Sequence, residues 1–175
     1  MTEAATGIPV TDDTRAVLRH LVATLAYRAS KVIRDAPPDF GGRTFGAATR
    51  QPVAILAHLA DLIEWAARSA VTGKMAWNAG GSGNWDTEAR RFFAAMESLD
   101  RAIASAESFH GSIGTIIQAP LADALTHVGQ LAMLRGMAGA PIRPESYARA
   151  RIAIGCVGPE QPPSVSEFDG DASLK

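Results

Sequence analysis

Residues 120–139 read PLADALTHVGQLAMLRGMAG, and this stretch carries the clearest helical signals of the chain. Proline suits the first turn of a helix because it has no backbone N–H to leave unpaired, and glycine is common just after the last turn. Pro120 and Gly139 therefore predict the two ends of a helix. Pro141 and Pro144 prevent its continuation.

Three earlier segments repeat apolar residues at three- and four-residue steps, which is typical of amphipathic helices. Good N-cap residues or a first-turn proline precede each segment, and proline or glycine follows the first two. The predicted bounds are Thr11 or Asp12 to about Arg34 or Asp35, Pro52 to about Gly73, and a start at Asp86 or Thr87.

Four such helices with Pro- and Gly-rich connections are typical of an antiparallel four-helix bundle. We therefore expect an all-α protein whose residues 11–141 form the bundle domain, with residues 1–10 as a flexible N-terminus. Residues 142–175 are expected to form an irregular, extended C-terminal segment that packs on the bundle and is disordered at its end.

The composition argues against several classes of partner. Lys and Arg total 17, Asp and Glu total 18, and the formal charge of −1 gives no electrostatic basis for binding nucleic acid or anionic lipid. No stretch has the length of a transmembrane helix, and the acidic first residues do not resemble a signal peptide. The single cysteine, Cys156, excludes an internal disulfide and a Cys-rich zinc site. We expect a cytoplasmic protein.

Three polar residues interrupt the apolar faces of the second and fourth helices. His58 lies among the apolar residues of the second helix, and Asp123 and His127 share a face of the fourth because they are four residues apart. Facing helices can bring such side chains together, and imidazole and carboxylate suit zinc, nickel or iron(II). From spacing alone, a core or pocket histidine and an Asp–His pair on the helix surface are the more common interpretations.

Two segments resemble a known family. LADALTHVGQLAMLRGMAGAPI (121–142) resembles the last helix of the DinB/YfiT-like family of metal-dependent bundle proteins, and QPVAILAHLADLIEWA (51–66) resembles its second helix. The resemblance extends over about residues 12–170, and the His-Val-Gly-Gln-Leu stretch is its most specific part. Members carry one histidine on the second helix and a His-x-x-x-His pair on the fourth, which together bind a divalent metal.

The resemblance implies a ligand set with one departure from the family pattern. His58 matches the first ligand, His127 matches the second histidine of the pair, and Asp123 stands where the first histidine would be. Aspartate can replace histidine as an oxygen ligand, but it is shorter and adds a negative charge. The site could therefore hold nickel, zinc or iron, bind its metal weakly, or remain empty. Gln130 could hydrogen-bond a ligand histidine from outside the ligand set.

For function, the resemblance implies a metal-dependent transferase or hydrolase. Its small-molecule substrate could be a low-molecular-weight thiol, because some members transfer such thiols. The alternative is a metal-free, non-catalytic homodimer that binds a small molecule in the former metal pocket. Gly129 and Gly136 permit close helix approach, either within the bundle or between subunits, and we expect a homodimer.

Two tryptophans flank a glycine-rich linker between the second and third helices. The stretch GGSGN between Trp77 and Trp85 lacks the spacing of a phosphate-binding loop. We expect the tryptophans to act as lids or as anchors in the core.

Overall fold

The computed structural model describes residues 8–105, 107 and 109–168. Within these residues the regular secondary structure is helical, which confirms the prediction of an all-α protein. Residues 1–7 of the predicted N-terminal segment and residues 169–175 of the predicted tail lie outside the described residues. The helices are α1 (Asp12–Ile33), α2 (Pro52–Thr72), α3 (Trp85–Ala104), α4 (Ile113–Ile116) and α5 (Ala122–Met137).

The first two helices begin and end close to the predicted residues, and the third begins close to its predicted start. Thr11 caps α1 through a capping box with Thr14, in which each side chain accepts a hydrogen bond from the other residue's backbone N–H. Gly73 follows α2 with a φ of 67°, the left-handed conformation that favours glycine at a helix end. Helix α3 starts one residue before the predicted Asp86, because Asn84 caps it by accepting from the Thr87 N–H.

The fourth helical region starts earlier than Pro120, so that prediction is wrong. Ser112 caps α4, and a π-helical stretch at Ile117–Leu121 joins α4 to α5 without a break. Pro120 lies inside this π-helical stretch rather than at a helix start. A π turn changes the local pairing of backbone groups, which accommodates a residue that lacks an N–H. The predicted end is confirmed, since Gly139 follows α5 with a φ of 76°.

The four long helices surround one apolar core. Helices α1 and α2 each pack against both α3 and α5, so every long helix has two long neighbours. No helix in the described part of the chain has both the length and the apolar character needed to cross a lipid bilayer. The largest fully buried side chains are Leu18, Leu25, Tyr27, Phe40, Leu56, Leu59, Ile63, Phe92, Met96, Leu99, Ile103 and Ile113.

The segment after α5 contacts α1 through a buried charge cluster. Lys31 donates hydrogen bonds to Glu145 at 2.8 Å and to Glu167 at 3.0 Å, and the Tyr27 hydroxyl donates to Glu145 at 2.9 Å. Glu145 and Glu167 also form an isolated antiparallel β-bridge. The alternating residues 146–155, which could have been extended throughout, instead include a 3₁₀ turn at Tyr147–Arg149.

Candidate metal centre

His58, Asp123 and His127 meet where α2 packs against α5. Nε2 of His58 lies 3.5 Å from Oδ2 of Asp123, and Nε2 of His127 lies 3.5 Å from Oδ1 of the same carboxylate. The two imidazole rings are nearly perpendicular, with centroids 4.8 Å apart. One potential ligand atom from each residue lies within 4.8 Å of the others. The tertiary structure thus brings together all three side chains singled out in the sequence.

Helix geometry and packing explain this convergence. Asp123 and His127 project from the same face of α5 because they are one turn apart. Asp123 follows the π-helical stretch by two residues, so it lies inside a continuous helical region and not at a free helix end. The side chains of His58 and His127 are 24% and 13% exposed, whereas that of Asp123 is 46% exposed. The cluster is therefore open to solvent on the side of Asp123.

Gln130 contacts the cluster from the next turn of α5. Its Oε1 lies 2.7 Å from Nδ1 of His127. Since Oε1 can only accept, Nδ1 is the protonated nitrogen in this arrangement, and Nε2 of a neutral imidazole keeps its lone pair. Such a contact fixes the tautomer and orientation of a metal-binding histidine.

The surroundings of His58 favour its neutral form. Burial lowers the pKa of the His58 imidazole most strongly, and the neighbouring charges of His127 and Arg50 lower it further. Asp123 opposes this effect through its negative charge and a hydrogen bond, but the net direction is downward. A neutral imidazole is the form that can coordinate a metal ion.

A pocket of about 410 Å³ adjoins the two histidines. Its volume is within the range of small-molecule sites, roughly 300–1,000 Å³. Its walls come from the loop before α2, from α2 and from α5. The lining residues are Ala48, Thr49, Arg50, Ile55, His58, His127, Gln130, Met133 and Leu134.

Trp77 lies beside His58, with ring centroids 5.6 Å apart, and also contacts Trp65 at 5.9 Å. Trp85 instead packs edge-on against Phe40, at 5.3 Å between ring centroids. The sequence left the same two alternatives open for both tryptophans, a lid or a core anchor, but the structure places them in different surroundings. Trp77 flanks the candidate site, whereas Trp85 packs against a fully buried core residue.

An arginine on α3 fixes the linker that carries Trp77. Arg91 donates hydrogen bonds to Asp61 at 2.7 Å, to Glu88 at 2.8 Å, and to the backbone oxygens of Ala57 and Gly80 at 2.9 and 2.8 Å. The Gly80 N–H in turn donates to Asp61. Sequence reasoning missed this network, although a carboxylate three residues after His58 in an apolar helix was an available signal.

Comparison with known proteins gives no further information, because no protein-family model, curated protein or solved structure matches the chain. The geometry of this site and the resemblance of two sequence segments remain as the indications of function.

Proposed function

We propose that this protein is a metal-dependent enzyme of the DinB/YfiT-like family, built on an antiparallel four-helix bundle. In this proposal His58, Asp123 and His127 hold a divalent nickel, zinc or iron ion. The observation that carries the proposal is the convergence of one ligand atom from each residue to within 4.8 Å of the others.

The two histidine–aspartate separations and the donor types are consistent with a metal ion. Two ligands bound at about 2.1 Å to one tetrahedral ion lie about 3.4 Å apart. Each histidine Nε2 is 3.5 Å from an oxygen of Asp123, close to that separation. Two imidazole nitrogens and one carboxylate oxygen suit zinc, nickel and iron(II). Gln130 would hold His127 in the tautomer that presents Nε2 to the ion.

The reaction we propose is transfer of a low-molecular-weight thiol or hydrolysis of a small substrate. The bound ion would supply a positive charge that favours a thiolate or hydroxide at neutral pH. The chain itself supplies the pocket, whose walls share His58 and His127 with the ligand set. A substrate in this pocket would therefore lie directly against the metal ligands. A cytoplasmic location would keep such a thiol reduced.

We also propose that the enzyme is a homodimer that uses the outer face of α5. A side chain added at Gly129 or Gly136 would meet open space, so neither glycine serves close packing within its own subunit. Met137 on the same helix is 59% exposed and is not part of the pocket lining. An outward face with two glycines and an exposed methionine would suit close approach of a second subunit.

One observation favours the alternative of a metal-free binding protein. Asp123 contacts both histidines at 3.5 Å, so a single carboxylate could hold the cluster together without an ion if one imidazole were protonated. The pocket beside the histidines would then bind its small molecule without catalysis.

Metal content separates the two functions. The protein would be purified without an affinity tag and analysed by elemental mass spectrometry, beside His127→Ala, Asp123→Ala and the control His20→Ala, which alters an exposed histidine of α1. We expect near-stoichiometric nickel, zinc or iron in the wild type and control, and a loss in both site variants. Wild-type protein that takes up no metal even from excess divalent ions would overturn the enzyme proposal.

A further inference from the structure

Arg50 is an unused cation in the wall of the pocket beside the candidate metal centre. It belongs to the loop directly before α2, is exposed, and lines the pocket together with His58 and His127. Among the described residues its guanidinium has no hydrogen-bond or ion-pair partner. Arg135 shows the contrast, because it donates to the backbone oxygens of Val32, Arg34, Asp35 and Ala140.

The pocket wall has the charge and the surface that a small organic anion requires. Arg50 is its cation, and none of its lining residues is an aspartate or glutamate. Asp123, the carboxylate of the metal-ligand cluster proposed above, contacts both histidines and is not part of the lining. Ile55, Met133 and Leu134 supply apolar surface in the same pocket.

We propose that Arg50 binds the oxyanion of a small substrate whose apolar part packs against Ile55, Met133 and Leu134. A guanidinium presents a fork of N–H donors that matches a carboxylate or phosphate group, and such charge-assisted hydrogen bonds are stronger than neutral ones. Calling this anion a substrate rests on the proposed function. The anion would be held beside His58 and His127, next to the reacting centre of that proposal.

Two probes of similar size test the role of charge. Benzoate carries a carboxylate on an aromatic ring, and benzyl alcohol carries an uncharged hydroxyl group. EDTA would first remove metal from the ¹⁵N-labelled full chain, and dialysis would then remove the EDTA, because its own carboxylates could compete for Arg50. Each probe would be titrated into this metal-free protein at low salt, and binding would be followed by amide chemical shifts. The variants are Arg50→Gln, Arg50→Lys and the control Arg101→Gln, which alters a 71% exposed arginine of α3.

We expect benzoate to bind the wild type more tightly than benzyl alcohol, with shifts at Thr49, Ile55 and Met133. Arg50→Gln should weaken benzoate binding by about fivefold or more and leave benzyl alcohol unaffected. Arg50→Lys should lose less, because it keeps the charge but not the fork. Arg101→Gln should bind both probes with the same affinities as the wild type.

Equal affinity for both probes, no benzoate binding to the wild type, or an unchanged benzoate affinity in Arg50→Gln would each overturn this inference. Its failure is distinguishable from failure of the metal proposal, because the probes are titrated without metal. If the protein contains no metal but binds benzoate through Arg50, the anion site is supported and the metal-dependent enzyme is ruled out. If the protein contains metal but binds both probes equally, the metal proposal stands and Arg50 is not the anion-binding residue.

Discussion

His58 and Asp123 lie on different helices, yet Nε2 of His58 is 3.5 Å from Oδ2 of Asp123. The other oxygen of the same carboxylate lies equally far from Nε2 of His127. Asp123 is therefore the central residue of the cluster, although the family that the sequence resembles has a histidine at the corresponding position. Substitutions at Asp123 should therefore disturb contacts with both histidines at once, whereas a substitution at one histidine removes a single contact with Asp123.

The affinity for zinc should depend on a ligand at position 123. Asp123→Ala removes the proposed oxygen ligand and is expected to weaken zinc binding by more than about tenfold. Mutation of residues that only hydrogen-bond the ligands already lowers metal affinity by about tenfold or more, so loss of a ligand should do at least as much. Asp123→His supplies a nitrogen ligand, as in the family pattern, and should bind zinc at least as tightly as the wild type. Competition with a chromophoric chelator would measure the zinc affinity of both variants and of the wild type. Equal affinities for Asp123→Ala and the wild type would remove Asp123 from the ligand set.

Gln130 should influence zinc affinity without being a ligand. Gln130→Ala removes the 2.7 Å contact with Nδ1 of His127 and frees the imidazole to rotate or change tautomer. We expect an affinity loss of about 10- to 100-fold in the same chelator assay. Gln118→Ala, which alters an exposed glutamine of the π-helical stretch, serves as the control. A similar loss in both variants would assign the effect to general destabilisation.

Zinc binding should change the tryptophan fluorescence through Trp77. Its ring centroid lies 5.6 Å from that of His58, so coordination of His58 would alter its surroundings. Trp77→Phe should lose most of the change in emission on zinc addition. Trp85→Phe should keep it, because Trp85 packs against Phe40 in a different environment. The opposite pattern would show that Trp77 does not report on the site.

Removing Arg91 should destabilise the protein and release the linker that carries Trp77. Arg91→Met leaves the carboxylates of Asp61 and Glu88, whose side chains are 6% and 1% exposed, without their cation. Breaking a buried ion pair in this way costs about 3 kcal/mol. We expect this loss in chemical denaturation, together with faster hydrogen exchange at the Gly80 amide, which donates to Asp61.

The neighbouring arginine provides the matched control for this change. Arg90 is exposed, and its guanidinium donates only to the hydroxyl of Thr87 among the described residues. Arg90→Gln should change the free energy of unfolding by less than about 0.5 kcal/mol. If Arg91→Met changed the free energy of unfolding as little as Arg90→Gln, Arg91 would not anchor the linker.

The charge cluster between α1 and the C-terminal segment should make stability depend on pH. Burial by itself raises the pKa of the Glu145 carboxyl, but hydrogen bonds from Lys31 and Tyr27 outweigh it and hold the pKa below its usual value. The resulting stabilisation is present above the unfolded-state pKa of about 4.3 and is lost as the pH falls through the lower folded-state pKa. The free energy of unfolding should therefore decrease in acid.

A variant at Glu145 isolates this contribution. Glu145→Gln should lower the free energy of unfolding by about 2 kcal/mol at pH 7, because it removes the charge that pairs with Lys31. The loss should not be larger, because Lys31 retains its contact with Glu167. The difference from the wild type should begin to narrow below the unfolded-state pKa of about 4.3, and it should close as the pH falls through the lower folded-state pKa, where the wild-type carboxyl is protonated too. Denaturant titrations at several pH values would measure it. Glu97→Gln, at a 49% exposed side chain, should show no such convergence. A constant difference at all pH values would exclude ionisation of Glu145 as its cause.

The helix pattern could be predicted from sequence because it depends on local interactions. Thr11, Gly73 and Gly139 act at helix ends through their own backbone conformation or through hydrogen bonds to residues a turn away. The start at Pro120 was wrong because a proline, although most common in a first turn, can also lie in a π-helical stretch. The turn before Pro120 is buried through Ile113 and Ile116, and this tertiary burial is not visible in the local sequence.

The sequence by itself determined the all-helical class and placed Asp123 and His127 on one face of a helix, because a helical repeat fixes which residues share a face. Only the tertiary structure brought His58 to that face, set Trp77 beside it through Arg91, and left Arg50 unpaired in the pocket wall among the described residues. These relationships join residues far apart in the chain. They follow from how α2, α3 and α5 pack around a shared core, and no local spacing encodes that packing.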